Sequence, residues 1–342
     1  MASFLIHLVI FIKLSIRNVI KRPSLSLLRL IILIRKPKIT LCYDAINVRD
    51  GSGAQIQRIM AIYSLAKYLG LSYLHKPIEE VSIHPLDPHQ SPKLYSRYLI
   101  RLNSVITFPS DSISLDFGSE IVEPRLTFVR VLKCIINNRD LSPKLIKVSD
   151  VYSLVDANTE MYQFAIPHVQ RNIRREFADL SSANETIVIH YRSVPGKFST
   201  YPGESRTRQL EVRRLAKVLK RAIKKSKCIK PCLEVYTDAP EQNQKIPVTK
   251  SQQDIWENTP GYENGFLQLN GVDLKSELSE ISNEITLYVG GDPLAALARM
   301  SEARTLIISK SSLSYVASLL NNNRDVYSPF EFWHPVRKSK KF

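Results

Sequence analysis

Along the 342-residue chain, short apolar runs alternate with longer stretches in which apolar residues return every three or four positions. Residues 39–46 (ITLCYDAI) carry the pattern of a buried strand and lead into the turn Asp50-Gly51-Ser52-Gly53. From 54 to 69 the apolar positions Ile56, Ile59, Met60, Tyr63, Ala66 and Leu69 recur at helical spacing, and 71–75 reads as a second strand. Residues 76–124, rich in Pro and Ser, show no period and are expected to be irregular. Helical patterns follow at 125–137 and 160–179, then a strand at 186–191 (TIVIHY). Beyond it the pattern predicts a helix over 207–226, a strand at 232–237, an irregular stretch and a strand at 285–289. A helix at 293–301, a strand at 305–309, a helix at 312–320 and a strand at 326–327 complete the series. Strands alternating with helices predict parallel sheets covered on both faces, in a chain too long for one ordinary core. The reading is a two-domain α/β protein, with units over 38–182 and 183–335, an N-terminal segment 1–37 and a tail 336–342.

Charge changes this picture locally. The formal net charge is +16, which by itself raises nucleic acid as a partner. Residues 1–40 hold eight cations and no acid, 206–230 net +10, and the tail adds Arg337, Lys338, Lys340 and Lys341, so the remaining body nets −6. The apolar run 4–12 and the run 25–34, broken by Arg29, each fall short of the roughly 20 residues of a spanning helix. With Lys13, Arg17, Lys21 and Arg22 on one broad face, the first 37 residues are expected to be an amphipathic extension lying on an anionic membrane surface. In the basic helix, Arg213, Lys217, Lys220, Arg221 and Lys224 share a face, which reads as a solvated surface or a second contact with anionic lipid. Aromatic residues hardly interleave with these cations, so a nucleic-acid-binding protein ranks low among the readings. Four Cys in 342 residues rule out a disulfide-stapled scaffold.

Three places carry candidate chemistry. Gly51-Ser52-Gly53-Ala54-Gln55 joins the first strand to its helix, where N–H groups and the helix dipole attract phosphate, but Ile56 stands where a dinucleotide fingerprint needs its third glycine. His190 and Arg192 end the strand TIVIHYR on one face, at the carboxyl edge where open α/β sheets bind ligands, and an Arg fork suits a diphosphate. Ser309-Lys310-Ser311-Ser312 links a strand to a helix start. No Asp-x-Asp occurs, and Cys228-x-x-x-Cys232 lacks a second ligand pair, so neither the usual metal-holding carboxylates nor a zinc site is expected.

In this order, GSGAQIQRIMAIYSLAKYLGLSYLH (51–75), IVIHYR (187–192), VYTDAPE (235–241) and DPLAALARMSEARTLIISKSSLSYVASLLN (292–321) resemble the fucosyltransferase superfamily of α-1,2-, α-1,6- and protein O-fucosyltransferases. The resemblance implies a GT-B-like fold of two Rossmann-like domains facing a cleft, GDP-fucose as donor, inversion at the anomeric carbon, and neither metal nor cofactor. It also implies that Arg192 neutralises the leaving diphosphate, that Ser311 and Ser312 hydrogen-bond it, and that His190, Gly53, Gln55 and Asp292 line the donor site. Where many members continue with a second Arg and an Asp, this chain has Ser193, Val194 and Pro195. Asp50 and Glu204 are the carboxylates considered as proton acceptors. The expectation is a membrane-associated glycosyltransferase acting on a glycan or glycolipid acceptor, with a non-catalytic nucleotide- or glycan-binding protein as its rival. A nucleic-acid-binding protein ranks well below these two readings, and a Rossmann oxidoreductase lower still.

Overall fold

The computed structural model describes residues 25–45, 51–82, 87–89, 91–111, 117–137, 142–178, 186–192, 212–226, 231–248, 262–269, 271–322, 325–328 and 340–341. A first sheet runs in the order β2-β1-β4-β3 (Ser72–Leu74, Ile39–Tyr43, Lys144–Asp150, Ser119–Arg125), with all neighbours parallel. Around it lie α1 (Leu25–Arg35), α2 (Ser52–Leu69), α3 (Pro92–Ile106), α4 (Phe128–Asn137) and α5 (Ile166–Glu176). Helix α2 is buried nearly all round, which fits a helix sandwiched between layers. It stops where Gly70 adopts φ 74°, so that the amides of Gly70 and Leu71 bond back to Lys67 and Ala66.

A second, six-stranded sheet has the order β10-β6-β5-β11-β12-β13, built from Ile285–Val289, Cys232–Thr237, Thr186–Tyr191, Thr305–Ile307, Asp325–Ser328 and Lys340–Lys341, again all parallel. Counted along the chain within this sheet, the order is 3-2-1-4-5-6, that of a dinucleotide-type doubly wound sheet, and it reverses between β5 and β11. Helices α6 (Val212–Ser226), α7 (Leu274–Leu278), α8 (Pro293–Glu302) and α9 (Ser312–Leu320) complete the layers. Residues of β5 alternate between the two faces: Ile187 and Ile189 pack with Leu215, Leu219, Leu274 and Leu278, whereas Val188 joins the core that contains α2, α8 and α9. One apolar core thus crosses from the first sheet's helices to the second sheet. Helices α2 and α9 pack directly on each other within it.

Several expectations are corrected. The stretch 76–124 contains α3, started by the Ser91 cap and Pro92 at the first helical position, and the edge strand β3, which includes Arg125. The pattern over 160–179 divides into a 3-10 segment, Asp156–Phe164, and α5, which opens with Pro167 in its first turn. The irregular stretch after β6 holds a small antiparallel sheet, β7-β9-β8 (Gln244–Pro247, Phe266–Leu269, Tyr262–Glu263). Asn264 and Gly265, with φ 49° and 81°, close its two-residue hairpin, so an Asn-Gly signal was present in the sequence. Lys340 and Lys341 of the basic tail form the edge strand β13 and so belong to the second sheet. Most of the expected membrane-associating arm, residues 1–24, lies outside the described residues; its remainder forms α1. Among the described residues no helix is long and apolar enough to cross a membrane.

Candidate functional site

β5 and β11 are neighbours at the reversal of strand order, the point where open α/β sheets have their ligand crevice, outside the carboxyl ends of the strands. The first supplies His190 and Arg192, the second Ser309 to Ser312. His190 is buried, and its Nδ1 lies 2.6 Å from Ser309 Oγ, tying the two strand ends together. Burial pushes its imidazole down to about 4, outweighing the opposite pull of Asp238, so the ring is neutral near pH 7. His190 therefore supports the crevice floor and presents no cation to it.

Arg192 is half-buried. Its Nη1 donates to Ser311 Oγ at 3.4 Å, and its Nε is 3.5 Å from Asp238 Oδ2. That Nε is shielded from solvent and makes no hydrogen bond among the described residues. Asp238 follows β6, where Thr237 Oγ1 accepts the Ala239 amide and shapes the turn. The guanidinium is thus aimed along the carboxyl edge of the sheet, with donor capacity to spare.

Ser311 is the N-cap of α9, yet its side chain caps no backbone amide. The first intrahelical bond there is from the Tyr315 amide to the Ser311 carbonyl. Ser314 Oγ instead turns back and donates to the carbonyls of Ser309 and Ser311, pinning the strand-to-helix turn. The run of serines therefore divides its work: Ser309 holds His190, Ser311 meets Arg192, Ser314 locks the turn, and Ser312 stands half-exposed at the helix start. A helix start with uncapped N–H groups beside an Arg fork is a site for an oxyanion group.

The glycine segment reaches the same place from the first unit. A Cβ on Gly53 would collide with the backbone nitrogen of Leu313 and sit 2.6 Å from its Cα, so the missing side chain lets α2 touch the first turn of α9. The close approach that requires glycine is between two helices. Gln55 is fully buried; its Oε1 accepts from the Tyr43 hydroxyl at 3.2 Å and its Nε2 donates to the Glu80 carbonyl at 2.7 Å. It braces the loop from beneath.

Asp292 follows β10 on the same sheet edge. Its Oδ1 caps α8 through the Leu294 amide at 2.8 Å, while its Oδ2 accepts from Arg101 Nη1 of α3 at 2.6 Å. Arg101 also bonds Glu176 of α5 and stacks over Phe177. Asp292 is therefore a clamp between the two units. Of the residues expected at the site, Arg192 and Ser311 meet, Ser312 follows at the helix start and His190 is tied to Ser309, whereas Gly53 packs on Leu313, Gln55 bonds Tyr43 and Glu80, and Asp292 bonds Arg101 and the Leu294 amide. Asp238 and Ser309 were missed; the segment VYTDAPE and the Ser309-Lys310-Ser311-Ser312 run held them, but only strand adjacency shows what they touch. Asp50 and Glu204 lie outside the described residues. Among the described residues no three His, Cys, Asp or Glu side chains gather as a metal site requires.

No protein-family model matches the chain, and no curated protein matches it. Several solved structures align with most of it at low identity. E. coli heptosyltransferase WaaC with ADP aligns over 89% of this chain and 92% of its own at 6% identity, with TM-score 0.39. POFUT1 in complex with GDP aligns over 90% and 98% at 11% identity and TM-score 0.41. Arabidopsis thaliana FUT1 with GDP aligns over 86% and 72% at 14% identity and TM-score 0.40. Likenesses this distant add nothing to the chemistry of this chain, which rests on its own strand order and side chains.

Proposed function

We propose that this protein is a glycosyltransferase that uses a nucleotide-diphosphate sugar without a metal ion, with GDP-fucose as the donor to test first. The observation that carries the reading is the convergence of Arg192 and the uncapped start of α9 on the reversal point of a 3-2-1-4-5-6 parallel sheet. The diphosphate would lie over Ser311 and Ser312, with Arg192 across its oxygens. When the bond between the anomeric carbon and the β-phosphate oxygen breaks, the electron pair leaves with the nucleotide. Arg192 and fixed N–H groups stabilise that charge where a metal would otherwise be needed. An acceptor hydroxyl of a glycan or glycolipid attacks the opposite face with inversion and gives up its proton to a carboxylate. The resemblance of the four segments to fucosyltransferases is what favours GDP-fucose.

Calorimetry with GDP-fucose, GDP, ADP and UDP in the presence of a chelator tests the donor. Binding of a nucleoside diphosphate is expected, weakened about tenfold to a hundredfold by Arg192→Ala. Absence of binding by any of them, or indifference to Arg192→Ala, overturns the reading. The residues Ser193, Val194 and Pro195 after Arg192 favour a second reading, a non-catalytic binding protein of the same fold. Binding without transfer or donor hydrolysis across a broad acceptor panel would select it.

A further inference from the structure

Helix α1 has two dissimilar faces, one buried and one exposed, and the exposed one carries three large apolar residues beside Ser26 and Arg29. Leu25, Leu28 and Ile32 are buried against the rest of the first unit, and Arg35 reaches across to the carbonyls of Ile135 and Ile136 at the end of α4. On the opposite arc Leu30, Leu33 and Ile34 are 53%, 60% and 62% exposed, with Arg29 exposed among them. Val129, on neighbouring α4, is 57% exposed. A surface helix that only faced water would carry polar residues on that arc. Contiguous exposed apolar side chains rimmed by charge mark an interaction surface.

The rim selects the partner. Lys36 and Lys38 are exposed just beyond the helix, and Lys133 is exposed on α4. The chain carries no acid before Asp44, while Lys13, Arg17, Lys21 and Arg22 precede the helix. Nearby Glu123 is paired with Arg130. A second copy of the same face would bring like charges together, whereas an anionic bilayer offers both acyl chains and phosphates. We propose that the outward face of α1, through Leu30, Leu33 and Ile34 with Arg29, Lys36 and Lys38, docks the protein on an anionic lipid surface. The helix lies in the plane of the headgroups and α4 flanks it. The arrangement is that of an interfacial helix, apolar toward the lipid and cationic at its margins.

The test is co-sedimentation of the full chain with phosphatidylglycerol-containing vesicles and with pure phosphatidylcholine vesicles. The wild type is expected to partition onto the anionic vesicles in a salt-sensitive way. The triple variant Leu30→Gln, Leu33→Gln, Ile34→Gln should bind them at least about tenfold more weakly with an unchanged unfolding transition, because these side chains are outside the core. Replacing Arg29, Lys36 and Lys38 by Gln should remove the preference for anionic lipid. If the wild type ignores anionic vesicles, or the triple variant binds as well as the wild type, the proposal fails. It also fails if sedimentation shows a stable dimer that the triple variant dissolves and vesicles leave intact. None of these outcomes depends on nucleotide binding.

Discussion

Replacing Gly53 by Ala isolates the contact that joins the two units at the candidate site. In a helix free of neighbours the change would stabilise, by up to about 1 kcal/mol, because Gly has the larger conformational freedom to lose. Here the new Cβ would sit 2.6 Å from Leu313 Cα and 2.9 Å from its Cβ, against an ordinary contact distance of 3.4 Å. Clearing the Cα alone parts the helices by about 0.8 Å, the Leu313 nitrogen is nearer still and demands more, and the obstructing atoms are largely backbone, which cannot rotate away. Overpacking of this kind costs about 1–3 kcal/mol, so the clash outweighs the helix preference and the net sign is destabilising. Parting the helices also moves Ser311 relative to Arg192, whose contact at 3.4 Å has no slack. On the proposed function, transfer should fall by on the order of tenfold to a hundredfold, as expected for displacements approaching 1 Å. Urea unfolding measures the first effect and nucleotide titration with initial rates the second. Gly291→Ala is the control, because a Cβ there meets nothing within 4 Å, and it should be neutral to within about 0.5 kcal/mol. A Gly53→Ala protein as stable as the wild type, or more so, with unchanged nucleotide affinity, refutes the packing role.

Two further outcomes follow from His190 and Asp292. His190 has its pKa lowered to about 4 by burial, so between its unfolded value near 6.5 and about 4 only the unfolded chain takes up the proton. Its contribution to stability is whole above that window and declines as pH falls through it, at up to about 1.4 kcal/mol per pH unit. His190→Gln should flatten the pH dependence of urea unfolding between pH 6.5 and 4.5; an unchanged slope would count against a buried neutral ring. Asp292→Ala removes both the cap on α8 and the partner of Arg101, and should cost about 1–3 kcal/mol, whereas Asp292→Asn keeps the cap and should recover part of it. Equal losses in the two variants would show that the cap contributes nothing.

By itself the sequence determined the elements with strong periods: β1, α2, β5, β6, β10, α8, β11 and α9 were expected within a few residues of where they lie. Apolar spacing is a local property, and all of these segments except β10 bury the residues that carry it. Strands β3 and β7, and helix α3, escaped because their exposed faces and flanking Pro and Ser dilute the period. Arg192 and the serines near 311 were legible because a strand end and a helix start each announce themselves in a few residues. Tertiary structure alone decided which of the candidates meet. Residues such as Arg192 and Ser311, more than a hundred positions apart, become partners because β5 and β11 pair. The same order puts Asp238 beside Arg192, while the packing of α2 on α9 sets Gly53 against Leu313. Strand order and helix packing are set by the summed burial of the whole core, a quantity that no single stretch of sequence contains.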